Sequence, residues 1–474
     1  MTFPLHNMLR TVTTFGLLGL ASVSSAFAAL PIQTWRQPNG AQVFFVESRS
    51  IPMVDVQVDM DGGSRRDPAG KAGLASVSAS LTSRGILPSG NEPALDENQL
   101  GEAWADLGAG FGGDASSDRM SFGLRSLTDP ALLQRAVTLA SRQLGEPAFP
   151  PDIWNRDRQR IEAAIREADT KPATVASKAF QKLVYGSHPY GYEPAAATLD
   201  AISVDDIRSF YREHVLPCRA KVSIVGNLDR AQADALVTRL FSRLPQGTGT
   251  CPPLPPVAEV APLAAPAVQA IPFQSAQAHV LIGQPGFKRS DPDYFPLLVG
   301  NYILGGSGLV SRLSTEVREK RGLTYSTYSY FSPGLHAGAF TVGLQTRPDQ
   351  AAQAISVAKD VVAQFVASGP TADELKSAKD NLIGGFPLRI DSNRKLLDNI
   401  ANIAWNNLPL DYLDTWTAQV AKVTAQDVRS AMARKVQPGR MVTVTVGAAM
   451  DASSAGVAPG AAAAAAAGPG PARQ

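Results

Sequence analysis

Histidine is scarce in this chain: five residues in 474, and beyond the N-terminal segment only His188, His214, His279 and His336 remain. No two of these stand three or four residues apart, so no helical face carries the paired imidazoles of a helix-borne metal site. They read as surface or packed side chains. Motifs of other chemistries are missing as well. There is no Walker A sequence, no G-x-S-x-G elbow and no cysteine matched with a histidine base. Gly108–Gly113 fits G-x-G-x-x-G, but it follows a helical stretch and precedes a strand, the wrong order for binding a dinucleotide. An excess of one charge is also lacking, with Lys+Arg 44 against Asp+Glu 42. That balance gives no electrostatic reason to expect nucleic acid or an anionic membrane surface as partner. Past the N-terminus no apolar run approaches the roughly 20 residues that span a bilayer.

What the chain does contain is globular: 44% hydrophobic and 18% charged residues over a length that accommodates two to four ordinary domains. It opens on an address. Arg10 supplies a positive charge, Thr11–Ser25 is a short, mostly apolar run, and Ala26-Phe27-Ala28 is an A-x-A cleavage signal. The expectation is a cleaved export signal at residues 1–28 and an exported, periplasmic protein. Disulfides persist in that compartment. The two cysteines, Cys218 and Cys251, therefore allow a bridge, and equally allow two free thiols.

The chain repeats itself. Ile202–Gly226 aligns without a gap on Val423–Gly447, with eight identities in 25 positions, among them Asp206/Asp427, Pro217/Pro438 and Gly226/Gly447. Each copy reads as an N-cap (Ser203 or Thr424), a helix stopped by proline, and an apolar strand ending in glycine. Between the copies, residues 247–266 are dense in Pro and Ala and read as an extended linker. This gives two related halves, 29–246 and 267–447, followed by an Ala/Gly/Pro-rich tail at 448–474 expected to be disordered. Strand signals at Met53–Met60, Arg119–Leu127, His279–Gly283 and Phe340–Leu344 mix with long helical stretches at Pro130–Gly145, Asp152–Asp169, Gln350–Ala367 and Ala372–Phe386. Neighbouring strands joined by short turns, as at Asn39-Gly40, favour antiparallel pairing. The expected class is α+β, two duplicated halves each with a mainly antiparallel sheet packed against helices.

Two stretches carry chemical interest. Gly62–Gly85 reads as a strand end, a loop and a helix opening near Ala72, with Ser76, Val77, Ser78, Ala79 and Ser80 on the helix. Asn301–Tyr330 places Leu309, Leu313 and Val317 at helical spacing before a stop at Gly322. A β-rich run then starts at Tyr325, with Tyr325, Thr327 and Ser329 on one side of a strand edge. From periodicity alone, Arg318–Arg321 is a solvated helix end.

Over nearly all of Leu30–Gly447 the chain resembles the insulinase (pitrilysin) zinc peptidases. The family's His-x-x-Glu-His falls on Ser76–Ser80, so Ser76 and Ser80 replace histidines and Ala79 the glutamate. The third ligand, a glutamate, aligns on Ala164. Serine hydroxyls bind Zn²⁺ poorly and alanine abstracts no proton, so no metal is expected here. The family's Gly-Leu-x-Tyr is present as Gly322–Tyr325, and its arginine seven residues before the tyrosine is Arg318. The resemblance gives this pair the work of binding the substrate carbonyl and steadying the oxyanion, to which a phenol and a guanidinium are suited donors.

In that family two chains of this length can close a clam-shell chamber around a peptide, one bearing the metal motif and one the Arg/Tyr pair. The resemblance therefore implies a catalytic contribution by Arg318 and Tyr325, exerted with a zinc-bearing partner subunit, and no peptidase activity by this chain alone. Its alternative is an inactive structural or peptide-binding relative that serves as a scaffold, a role for which Arg318 and Tyr325 are superfluous.

Overall fold

The computed structural model describes residues 31–247 and 249–448. The expected signal at 1–28 and nearly all of the expected tail lie outside these residues. In the first half the strands are β1 (Gln33–Arg36), β2 (Gln42–Glu47), β3 (Met53–Met60), a short pair β4 (Gly85–Ile86) and β5 (Leu95–Asp96), β6 (Gly110–Ala115), β7 (Met120–Leu127) and β8 (Lys221–Gly226). Its helices are α1 (Leu74–Ser80), α2 (Glu97–Asp106), α3 (Pro130–Gly145), α4 (Pro151–Ala168), α5 (Pro172–Tyr185), α6 (Ala196–Asp200), α7 (Val204–His214) and α8 (Arg230–Leu240). The second half has strands β9 (Ala267–Ile271), β10 (Ala278–Pro285), β11 (Thr327–Phe331), β12 (Ala339–Thr346) and β13 (Val442–Val446). Its helices are α9 (Tyr294–Asn301), α10 (Ala351–Ser368), α11 (Ala372–Gly384), α12 (Asn393–Trp405), α13 (Tyr412–Lys422) and α14 (Ala425–Lys435).

The two large sheets have the order β6-β7-β3-β8-β2-β1 and β11-β12-β10-β13-β9. Strand for strand they match, with β1 as the one addition. β3 and β10 run antiparallel to both neighbours, whereas β2 and β9 lie parallel to β8 and β13. The sequence repeat falls on equivalent pieces: α7 with β8, and α14 with β13. Both helices open with a reciprocal capping box, Ser203 with Asp206 and Thr424 with Asp427. The fold is thus the expected α+β duplication.

Alternation along β3 sends Val54, Val56, Val58 and Met60 into a core shared with α1, α3 and α7. Val280 and Ile282 of β10 do the same beneath α9, α10 and α14. The opposite sheet faces are covered by exchange between the halves. α12 of the second half lays Leu396, Leu397, Ile400 and Ile403 against Val46 and Val225 of the first sheet. α5 of the first half lays Ala176, Phe180 and Val184 against Val442, Val444 and Val446 of the second. The approach is close: a Cβ on Gly283 would come within 2.8 Å of the Phe180 ring, so only glycine fits there. Lys221 of β8 ends α12 by donating to the Ala404 carbonyl at 2.7 Å, a cation where the helix dipole favours one.

Polar contacts stitch the same seam. The Tyr190 hydroxyl donates to Asp118 at 2.6 Å, the Leu335 amide donates to the other oxygen of Asp118 at 2.9 Å, and the Ala339 amide donates to the Tyr185 hydroxyl at 2.8 Å. The histidines are less scattered than the sequence suggests. His188 and His336 meet here edge to face, ring centroids 5.2 Å apart, because the exchange of helices brings the halves' loops together. The Pro/Ala-rich segment is fastened at several of its described residues. Cys251 is bridged to Cys218 with Cα atoms 5.6 Å apart, Arg219 donates to the Pro252 carbonyl at 2.8 Å, and Glu259 pairs with Lys288.

The capping box of α7 has a testable acid dependence. Lys71 reaches Asp206 at 2.6 Å, and this contact together with the Ser203 hydrogen bonds holds the Asp206 carboxyl down to about 2, from an ordinary 3.8. A carboxyl depressed in the folded state stabilises above its ordinary value and loses that contribution as pH falls toward about 2. Asp206→Asn should therefore cost about 1 kcal/mol at pH 7, discounted for partial exposure, in urea unfolding. The gap to wild type should close between about pH 4 and pH 2, and a pH-independent gap would remove the ion pair from the explanation.

Candidate functional site

Arg318 and Tyr325 stand on a helix and loop of unusual construction. From Ser314 to Glu319 the helix is widened to i→i+5 bonding, shown by the Lys320 amide on the Thr315 carbonyl at 3.0 Å. A second wide turn, Tyr302–Gly306, precedes it. Such π turns concentrate at functional sites. The expected helix from Leu309 is interrupted: Leu309 sits in a separate 3₁₀ turn and is 60% exposed, while Leu313 and Val317 are buried as the spacing predicts. The stop at Gly322 is as expected. Gly322 has φ +62°, its amide bonds the Arg318 carbonyl, and the Leu323 amide bonds the Val317 carbonyl, a closure one residue wider than a Schellman pair, in keeping with the widened helix that it ends.

The four residues Gly322–Tyr325 divide their labour. Leu323 and Thr324 are buried, and the Thr324 hydroxyl donates to the Gln345 carbonyl of β12 at 2.6 Å. Tyr325 is 82% exposed, held at its base and free at its ring. The Arg318 guanidinium lies 5.8 Å from the ring centroid, a cation–π separation. Glu316 is engaged by Lys320 at 2.6 Å and Arg321 at 2.8 Å, and among the described residues no carboxylate pairs with Arg318. Two donors are thereby presented side by side, one charged and one neutral.

One expectation is corrected here. Tyr325 does not share a strand face with Thr327 and Ser329. The strand begins at Thr327, because Thr324 ties the preceding loop to β12. Thr327 and Ser329 then point inward, while Tyr328 and Tyr330 face out. These two tyrosines stack with centroids 5.9 Å apart, a platform that the sequence reading missed although their spacing of two announces it. β11 is the outermost strand of its sheet, and the Ser329 carbonyl midway along it accepts from the Asn301 side chain at 3.1 Å.

The other stretch lies on α1, which opens at Leu74, two residues later than expected. Asp67 sets this start by accepting from the Gly73 and Ala75 amides, each at 2.8 Å, and burial pushes its carboxyl up to about 6. Ala79 is buried and Ser80 exposed, with the Ser80 hydroxyl donating back to the Val77 carbonyl at 3.2 Å. Ala164 on α4 is exposed. Two turns earlier on α4, Asp157 is buried and paired with Arg84 just beyond α1 at 3.0 Å, and with Arg156 at 3.0 Å. A guanidinium thus answers the one buried carboxylate of α4. This set of two hydroxyls and a methyl does not fit zinc, and among the described residues no three His, Cys, Asp or Glu side chains gather as a metal site.

A crystal structure of a peptidase M16 inactive domain from Pseudomonas fluorescens superposes with TM-score 0.83 at 32% identity, covering 89% of this chain and 98% of that one. The chain belongs to the peptidase M16 family. This is the insulinase-type family that its sequence resembles, and residues 201–382 match the family model described as the peptidase M16 inactive domain. Among curated M16 relatives, an uncharacterized zinc protease of Streptomyces coelicolor is 33% identical over 61% of this chain, and the chain spans 63% of that protein's length. The periplasmic protease PqqL of Escherichia coli shares the fold at TM-score 0.72 and 18% identity. The match covers 95% of this chain but 49% of PqqL. This member is therefore an inactive-type M16 chain built of two matching halves.

Proposed function

We propose that this chain is the non-zinc subunit of an exported two-chain M16 peptidase. It binds an extended peptide and supplies donors to the oxyanion, while a separate zinc-bearing subunit completes the enzyme. The observation that carries this reading is the pairing of Arg318 with a Tyr325 whose ring is anchored at its base and open to solvent. A packing role would bury the ring or pair the guanidinium. The Tyr328–Tyr330 platform on the exposed face of β11 beside them suits contact with the side chains of a peptide. Export is supported by the N-terminal signal pattern and by the periplasmic setting of PqqL. A chamber built of two such chains is supported by PqqL, of which this chain matches about half.

In this reading the chain's work is binding and positioning. Arg318 orients the scissile carbonyl by charge, and Tyr325 donates a hydrogen bond to the oxygen as it gains negative charge. The purified chain alone should hold no stoichiometric zinc and hydrolyse no peptide, with activity appearing when a zinc-bearing M16 subunit of similar length is added. Metal analysis and peptide turnover check this. One tightly held zinc per chain, with chelator-sensitive activity, would overturn it, and a stable but inert complex would favour the scaffold.

A further inference from the structure

We propose that a cleft on the first sheet, floored by Gly110, Gly112 and Gly123 and closed at one end by Asp55, is a binding site for an aromatic side chain carrying a hydrogen-bond donor, with tyrosine as its template. This deepens the peptide-binding part of the proposed function and rests on it. The cleft measures about 440 Å³ and lies where α12 stops short of the β3, β7 and β6 edge.

Three features argue for a ligand. The first is the floor. Gly110, Gly112 and Gly123 sit within strands and none has a left-handed backbone. A Cβ on any of them would meet nothing within 4 Å. Neither conformation nor packing within the chain requires glycine there, although glycine weakens a strand. Strand glycines of this kind mark close approach by another group. Gly113 is a contrast, since a Cβ there would strike the Phe122 ring and the Ala79 carbonyl at 2.6 and 2.8 Å.

The second is the duplicated half, which shows what such a floor accepts. Gly112 pairs with Gly123 in the register position where Tyr328 pairs with Gly343. In the second sheet the Tyr328 ring lies over Gly343, so close that a Cβ would come within 2.3 Å of it. The first sheet has the bare glycine and no ring of its own.

The third is Asp55. It is 1% exposed and faces the cleft. Arg125 donates to its Oδ1 at 3.1 Å, but Oδ2 is buried with no hydrogen-bond partner among the described residues. A buried acceptor left unmade is costly, and a donor at the tip of a ring lying on the glycine floor would satisfy it. Leu397 and Arg394 of α12 supply the side wall.

The test is calorimetric titration of the purified chain with the capped peptide acetyl-Gly-Gly-Tyr-Gly-Gly-amide and its Phe, Arg and Ala counterparts. The tyrosyl peptide should bind best. Gly123→Val and Gly112→Val should abolish binding while the melting temperature holds or rises, because a β-branched residue suits a strand. Asp55→Ala should weaken the tyrosyl peptide about tenfold, to the level of the phenylalanyl one. Absence of binding to wild type, unchanged affinity in Gly123→Val, or preference for the arginyl peptide would each overturn the assignment. The assay needs no partner, so failure of the two-chain reading leaves it intact.

Discussion

Tyr325→Phe in the assembled two-chain enzyme should lower kcat about 10²–10³-fold, roughly 3–4 kcal/mol, the usual loss of one oxyanion donor. Folding and partner association should survive. The ring remains, and the loop is held by Leu323 and by the Thr324 hydrogen bond to Gln345, neither of which involves the phenol. Arg318→Ala should weaken peptide binding as well as turnover, since it removes a charge together with the aliphatic stem beside the ring. A solvated helix end and an ordinary surface tyrosine would instead give less than about 0.5 kcal/mol in stability and nothing in turnover. The measurement is kcat/KM of each reconstituted variant, with complex formation checked by size-exclusion chromatography. Intact complexes turning over at the wild-type rate would take both residues out of the mechanism.

Replacing both cysteines by serine should cost about 3–4 kcal/mol, the chain-entropy value for a closed loop of 33 residues. The bridge stabilises more than the loop it closes. It pins the connecting segment against the turn between β1 and β2, where a Cβ on Gly40 would lie 2.4 Å from the Gly249 carbonyl and 3.0 Å from Cys218. Urea unfolding of the oxidised chain against Cys218→Ser/Cys251→Ser gives the difference. Thiol titration of the denatured, unreduced protein gives the state directly, and two free thiols would rule the bridge out.

The sequence made legible whatever was punctuated locally. The capping boxes at Ser203 and Thr424, the proline stops and the glycine-ended strands announce themselves within a few residues, and the duplication followed from them. The helix stop at Gly322 was equally visible. What failed was periodicity carried across an interruption: Leu309 has the right spacing, but the wide turn after Ser314 and the 3₁₀ turn before Ser311 divide the helix. Asp157, the buried carboxylate of α4, carries no local sign either, because the Arg84 that holds it comes from a distant segment. The glycine cleft was hidden for the same reason. Gly112, Gly123 and Asp55 come from separate strands, and only pairing brings them to one face.

The exchange of α5 and α12 between the halves has a consequence for how the chain comes to exist. Synthesis runs from the N-terminus, so α5 is complete long before β13, the strand that it covers. In that interval Phe180 and Val184 have no surface to meet, and the back of the first sheet waits for α12. Neither half reaches its final burial while the other is missing, and a nascent chain halted between them exposes two apolar faces at once, the circumstance that invites aggregation and chaperone capture. Cutting the gene at the proline-rich segment would therefore yield two sticky fragments rather than two proteins, each soluble only in the company of the other.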